Sequence, residues 1–170
     1  EMRGQVRIGR ALVDFERAIA FSVVMAQAHR GKGIALQRLE RTGESLACFD
    51  QALKLWPECA DAFFFAALSL ERLGRLEESV APYDKAAVLE PDSIPVLANR
   101  ATILLRLKRY AEASAGFEKL NAMAPGNSIS LNGLAYAAAH ACDWRRGDEF
   151  RTRMAAGLRA GKSEFRPRSQ

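Results

Sequence analysis

Three prolines, Pro57, Pro91 and Pro125, are evenly spaced: the interval from 57 to 91 recurs from 91 to 125. A fixed period of this length marks a repeat architecture, and it constrains the fold more than any local propensity does. Other positions keep the same register. Phe49, Tyr83 and Phe117 precede the three prolines at one constant offset, and Ala52, Ala86 and Leu120 precede them at a shorter one. Further back come Ser45, Ser79 and Ala113, then Leu36, Leu70 and Leu104, then Gly33, Ala67 and Ala101. One large aromatic and several small residues per period describe an antiparallel helix pair. The small residues let two backbones approach, and the aromatic fills the gap beside them. Proline ends each second helix, because it lacks an N–H and biases the residue before it away from the helical region. No single pair buries its own apolar face, so the pairs must stack.

Composition agrees with a packed helical chain. A length of 170 residues suffices for a real core without disulfide or metal. Hydrophobic residues at 49% and charged residues at 26% argue against both wholesale disorder and a membrane bundle. The longest uncharged, largely apolar run, Ala18 to Ala28, is well short of the stretch that a helix needs to cross a bilayer, so no membrane insertion is expected. The chain opens on Glu1 with no secretory pattern and reads as an internal fragment of something longer. Cys48, Cys59 and Cys142 are odd in number and widely spaced, which favours reduced thiols and a cytoplasmic location. The net charge of +5 belongs entirely to residues 145–170, where eight basic groups face three acidic ones. Residues 1–144 balance at 17 of each sign. A nucleic-acid surface spread over the whole chain is thereby disfavoured, and no specific nucleic-acid partner is expected.

The register resembles the tetratricopeptide repeat, a helix-turn-helix unit of the same period with small residues at the crossings, an aromatic in the second helix and a closing proline. The resemblance implies an all-α fold, a right-handed α-α superhelix of about nine helices forming one array over residues 1–170. The helices are expected near 5–22, 26–40, 44–56, 60–73, 77–90, 94–107, 111–123, 128–141 and 144–160. Residues 26–59, 60–93 and 94–127 are full repeats. Ala11, Phe15 and Ala18 mark 5–22 as a second helix standing without its first. In 128–160 the register reads Gly147, Arg151, Met154 and Arg159, so that unit is degenerate, a cap or junction. Residues 161–170 should fray. Lys32 and Arg100 occupy positions where the motif usually has Leu and should stay partly solvated, and Pro82 should kink or delay its helix.

Catalytic and ligand-holding chemistry is sparse. His29 and His140 are three repeats apart, so no paired-histidine metal site is expected within one chain. Gly31-x-Gly33 follows no strand and lacks a third glycine, so it reads as a helix contact rather than a dinucleotide loop. No cofactor, no metal and no enzymatic activity of this chain's own are expected.

Function is therefore expected in the concave face lined by first helices, which suits an extended or helical peptide. Carried onto this chain, the groove positions of the tetratricopeptide family include Arg30, Ile34 and Arg38, then Phe64, Phe65, Leu68 and Arg72, then Asn99, Thr102 and Arg106, and finally Asn132 and Tyr136. Gln27, Gln37, Asp61, Glu71, Ala98, Leu105 and His140 fall on the same faces. Three adjacent aromatics, Phe63-Phe64-Phe65, cannot share one buried stripe, so at least one should face the groove as an anchor. The competing reading packs Phe64 and Phe65 against neighbouring repeats and leaves the arginines as a solvated face. A chaperone-type carboxylate clamp is disfavoured, because Ile34, Phe65 and Pro95 stand where its polar residues would. Asn99 occupies a position that carries asparagines in O-linked N-acetylglucosamine transferases and SPINDLY-type relatives. The stretch Cys142-Asp143-Trp144 resembles the junction between repeats and catalytic lobes in that family. Two readings follow: a protein-binding scaffold, or the substrate-recruiting arm of a larger glycosyltransferase.

Overall fold

The computed structural model describes residues 2–140 together with Thr152 and Ala155; for residues 2–16, 18 and 19 only the backbone is described. These residues are helical throughout their regular structure and include no strand. The helices are α1 (Met2–Arg38), α2 (Thr42–Leu55), α3 (Ala60–Arg72), α4 (Leu76–Leu89), α5 (Ile94–Arg106), α6 (Tyr110–Met123) and α7 (Ser128–His140). The expected helix at 144–160, like the tail at 161–170, falls outside the described residues but for Thr152 and Ala155.

The other difference from nine helices lies in α1, where the expected pair 5–22 and 26–40 is one helix of 37 residues. Val23 stands one full period before Pro57, at the position that proline holds in each later repeat. Valine keeps its backbone N–H and does not clash with the preceding turn, so nothing there stops the helix. Lys32 is exposed and Arg100 half-buried, as their charge requires. Pro82 lies inside α4, which runs from Leu76 to Leu89 without a delayed start.

The chain divides into two compact units, Glu1–Leu89 and Glu90–Gln170. In the first, Phe49 is fully buried on the face of α1, and a Cβ added at Gly33 would stand 2.6 Å from its ring. Ala52, Ala62, Ala67, Tyr83 and Ala86 are also fully buried, so the aromatics sit among side chains that end at one carbon. In the second unit Phe117 is buried against Gly133, and Gly116 approaches Ala101 so closely that a Cβ would stand 3.1 Å from the alanine methyl. Ile103, Leu104, Leu120 and Leu134 complete that core.

Each second helix opens with the same device. Arg41, Arg75 and Arg109 each donate two hydrogen bonds to the carboxylate three residues on, in Glu44, Glu78 and Glu112, at 2.5–2.7 Å. The acidic partner sits in the first turn, where the helix dipole favours negative charge. The hydrogen bond from arginine holds each glutamate below its ordinary carboxylate range. Before each pair the chain turns through a left-handed residue, Glu40, Gly74 and Lys108 in successive repeats, with φ of 60°, 75° and 61°. Helix α7 opens differently: the Asn127 side-chain oxygen accepts from the backbone N–H of Ile129 at 2.9 Å and of Ser130 at 3.3 Å.

Candidate peptide-binding site

The positions expected to line a groove fall into two sets, one in each unit. In the first unit α1 and α3 are the first helices of successive repeats and lie in contact. Arg30 of α1 forms an ion pair with Asp61 of α3, tying the two helices at one end of the face. Ile34 and Leu68 are half-buried along it, and Arg38 and Arg72 lie at its other end, both exposed. Gln37, between these ends, is buried, and its carboxamide nitrogen donates to the Phe65 carbonyl at 3.0 Å and the Ser69 hydroxyl at 2.8 Å. Ser69 is itself fully buried beside Ser45, their hydroxyls 3.2 Å apart. This small polar network joins α1, α2 and α3, and no buried side-chain donor or acceptor among the described residues lacks a partner.

Phe63, Phe64 and Phe65 are all half-buried. Phe65 stacks on Phe49 with ring centroids 5.8 Å apart, and Phe64 meets Tyr83 edge-on at 6.1 Å. Both rings thus extend the aromatic packing of α2 and α4 outward, and each keeps a partly exposed edge. Tyr83 is buried, and its hydroxyl donates to Glu71 at 3.4 Å. Burial, with the Glu71 carboxylate adding to it, pushes the Tyr83 phenol well above its usual range.

In the second unit the face belongs to α5 and α7, which are also in contact. Asn99 is half-buried, while Thr102, Arg106 and Asn132 are exposed. The Thr102 hydroxyl donates to the Ala98 carbonyl one turn back, at 2.8 Å, so its proton is already committed. Tyr136 is 53% exposed and packs on His140 with centroids 4.3 Å apart. His140 in turn stacks on Tyr110 of α6 at 5.2 Å and an interplanar angle of 6°. Tyr110 was not singled out from the sequence, since its contact depends on α6 starting beside the end of α7. Nor were Glu40 and Thr42, which, with Gln37, Arg38 and Arg72, line a polar cleft of about 440 Å³ in the first unit. Arg38, Arg72 and Arg106 do share the register of the prolines, and that recurrence was the available signal. Among the described residues no cluster of His, Cys, Asp and Glu is arranged to hold a metal ion, and no helix is long and apolar enough to cross a membrane. Cys142, Asp143 and Trp144 lie outside the described residues.

The pairs α3–α4 and α5–α6, each of 13 and 14 residues, closed by a proline and packed through one aromatic, define a helical-repeat protein of the α-α solenoid class. Residues 30–94 match the sequence profile of the tetratricopeptide repeat family, and the fold is the one that family shares. YrrB, described as a tetratricopeptide repeat protein with an unusual peptide-binding site, superposes with a TM-score of 0.72 at 19% identity, covering 92% of this chain and 88% of its own. MamA from Desulfovibrio magneticus RS-1 gives 0.73 at 20% identity, covering 78% of this chain and 75% of its own. The first repeat domain of Spaghetti (RPAP3), bound to the HSP90 peptide SRMEEVD, gives 0.67 at 17% identity, covering 71% and 95%. No curated protein matches the sequence.

Proposed function

We propose that this chain is a protein-interaction scaffold that binds a peptide or an extended protein segment on the faces of its first helices. The carrying observation is the α1–α3 face, where Ile34 and Leu68 form a half-buried apolar floor between the Arg30–Asp61 ion pair and the guanidiniums of Arg38 and Arg72. Such a floor with charged ends suits an amphipathic segment, whose backbone and side chains need both kinds of contact. The α5–α7 face, with Asn99, Thr102, Arg106, Asn132 and Tyr136, offers a second and more polar stretch. Support also comes from the fold neighbours, of which one is described with a peptide-binding site and another is bound to an HSP90 peptide. The protein acts by binding and not by catalysis, with no cofactor, in a reducing cytoplasm-like compartment in keeping with the buried free thiols of Cys48 and Cys59.

The test is selection of peptides from a displayed random library, followed by NMR mapping of a selected peptide on the labelled chain. Shifts concentrated at Arg30, Ile34, Leu68 and Arg72, or along α5 and α7, are expected. A library from which nothing is captured, or a ligand that maps onto α2 and α4, removes the reading. A second reading, the substrate-recruiting arm of a glycosyltransferase, rests on Cys142-Asp143-Trp144 and the change of charge at residue 145. It requires a catalytic region elsewhere in the same polypeptide, which the coding sequence around this chain would reveal.

A further inference from the structure

Phe21 and Val24 of α1 are 68% and 60% exposed, and Met25 is exposed beside them. The open stripe continues at helical spacing through Ala28, Gly31 and Ala35, and a Cβ added at Gly31 would meet nothing within 4 Å. The opposite side of the same helix is spent on the core of the first unit, through Ala26, Gly33, Leu36 and Gln37. An apolar face in water gains free energy when something covers it, and a contiguous one marks an interface.

The repeat register describes the cover. One period on, the same stripe holds Ala62, Phe65 and Ser69 of α3, and there it meets α2. Ala62 shares a buried cluster with Ala52, Phe65 stacks on Phe49 at 5.8 Å, and the Ser69 hydroxyl lies 3.2 Å from that of Ser45. These three pairs are evenly disposed about Pro57, where the chain turns back. A helix that covers α1 in the same way carries its matching residues one period before Ala52, Phe49 and Ser45. Those places hold Ala18, Phe15 and Ala11, in α1 itself. Because α1 runs unbroken through Val23, they lie on the same rod as the stripe they complement and cannot reach it.

We infer that α1 is a dimerisation helix whose partner is a second copy of this chain. Two copies of α1 lie antiparallel about a two-fold axis at Val23, each offering residues 11–18 to residues 28–35 of the other. The contact that α2 and α3 make within one chain is thus made between chains, and each pair is made twice. This register opposes Ala18 to Ala28, Phe15 to Gly31 and Ala11 to Ala35, and it sets Phe21 against Met25, which covers the exposed apolar residues at the centre. Charge agrees with it. Asp14 falls opposite Lys32, at places that hold the buried Cys48 and Ala66 one period later. A parallel pairing, or a slip of one turn, loses that match. The inference does not depend on the peptide-binding reading.

Light scattering of the full chain across a concentration series should approach twice the chain's 18.7 kDa, with a melting temperature that rises with concentration. Ala28→Glu and Ala35→Glu place a carboxylate on a face that is open within one chain. Each should weaken self-association about tenfold or more, while the dilute chain keeps its circular dichroism. Lys32→Asp should weaken it likewise by setting two carboxylates against each other. Asp14→Lys combined with Lys32→Asp should restore it to within a few-fold, a recovery that damage to the fold cannot produce. Val23→Pro should give a monomer, since a bent α1 cannot lie along its copy. Spin labels on Arg38→Cys, in a Cys142→Ser background, should stand about 45 Å apart across the dimer, with 15 residues of helix on either side of the axis. A chain still monomeric at ~1 mM would overturn the inference and leave the stripe to another occupant. A dimer indifferent to Ala28→Glu and Ala35→Glu, or as tight in Val23→Pro, would overturn it as assembly through a different surface. Labels about 10 Å apart, the spacing of helices side by side and parallel, would overturn the antiparallel arrangement. A charge exchange that restores nothing would overturn the register.

Discussion

At Gly33 the helix has no room for a methyl group. The position that a Cβ would take lies 2.6 Å from the Phe49 ring, and that ring is fully buried and stacked on Phe65, so it cannot swing aside freely. Gly31, two residues away, has nothing within 4 Å of the same added atom. The two substitutions therefore have opposite signs. Gly31→Ala should stabilise by up to ~1 kcal/mol through helix propensity. Gly33→Ala gains the same propensity, but overpacking opposes it at ~1–3 kcal/mol, and the net should be a loss. Chemical denaturation of the two variants side by side checks this; equal shifts would mean that the Phe49 contact is looser than the structure has it. Tyr83 supplies a second residue-level test. Its phenol is raised by burial and by Glu71, so its contribution is complete below the unfolded-state value near ~10 and is lost as pH climbs through the higher folded value. Melting temperature should fall in alkali above that point, and Tyr83→Phe should make the fall shallower.

The helices themselves were legible wherever proline and the small residues keep the period. Six of the expected spans, from α2 to α7, agree with the structure to within one or two residues at each end, because each begins just after a turn and α2 to α6 also end just before one. At α1 the period continues back past Pro57 to Val23, where the side chain that enforces the break is missing, and a register without its breaker does not break. Val23→Pro should restore the division, removing one backbone hydrogen bond and clashing with the carbonyl four residues earlier. Helicity should drop while the cooperative melt of the first unit, whose buried positions among the described side chains begin at Ala26, moves little. A spin-label distance across position 23 would register the bend, and an unchanged distance would count against this account. At the candidate site the helix faces were legible from spacing, and the cleft was not. Its members Glu40 and Thr42 belong to a turn, where the side-chain direction depends on a left-handed φ of 60° at Glu40 that no periodicity encodes.

Over the whole molecule, charge is distributed unevenly: the surplus of five positive groups belongs to residues 145–170 alone. Only Phe150 and Phe165 are interleaved with the basic groups of that stretch. Single-stranded oligonucleotides should bind weakly and without sequence preference, and binding should vanish near ~0.15 M salt, since only counterion release drives it. Sub-micromolar affinity at that salt, abolished by neutralising Arg145, Arg146, Arg151 and Arg153, would make the chain a nucleic-acid binder instead. The arginine–glutamate pairs that open α2, α4 and α6 bear on a different question, how such a chain changes length over generations. Each pair closes between residues three apart, so the start of a second helix needs nothing from outside its own repeat. A duplicated or deleted stretch of coding sequence one period long would carry its helix start with it or remove it cleanly. Recombination between like segments can therefore add or drop whole modules without leaving an unmatched arginine behind.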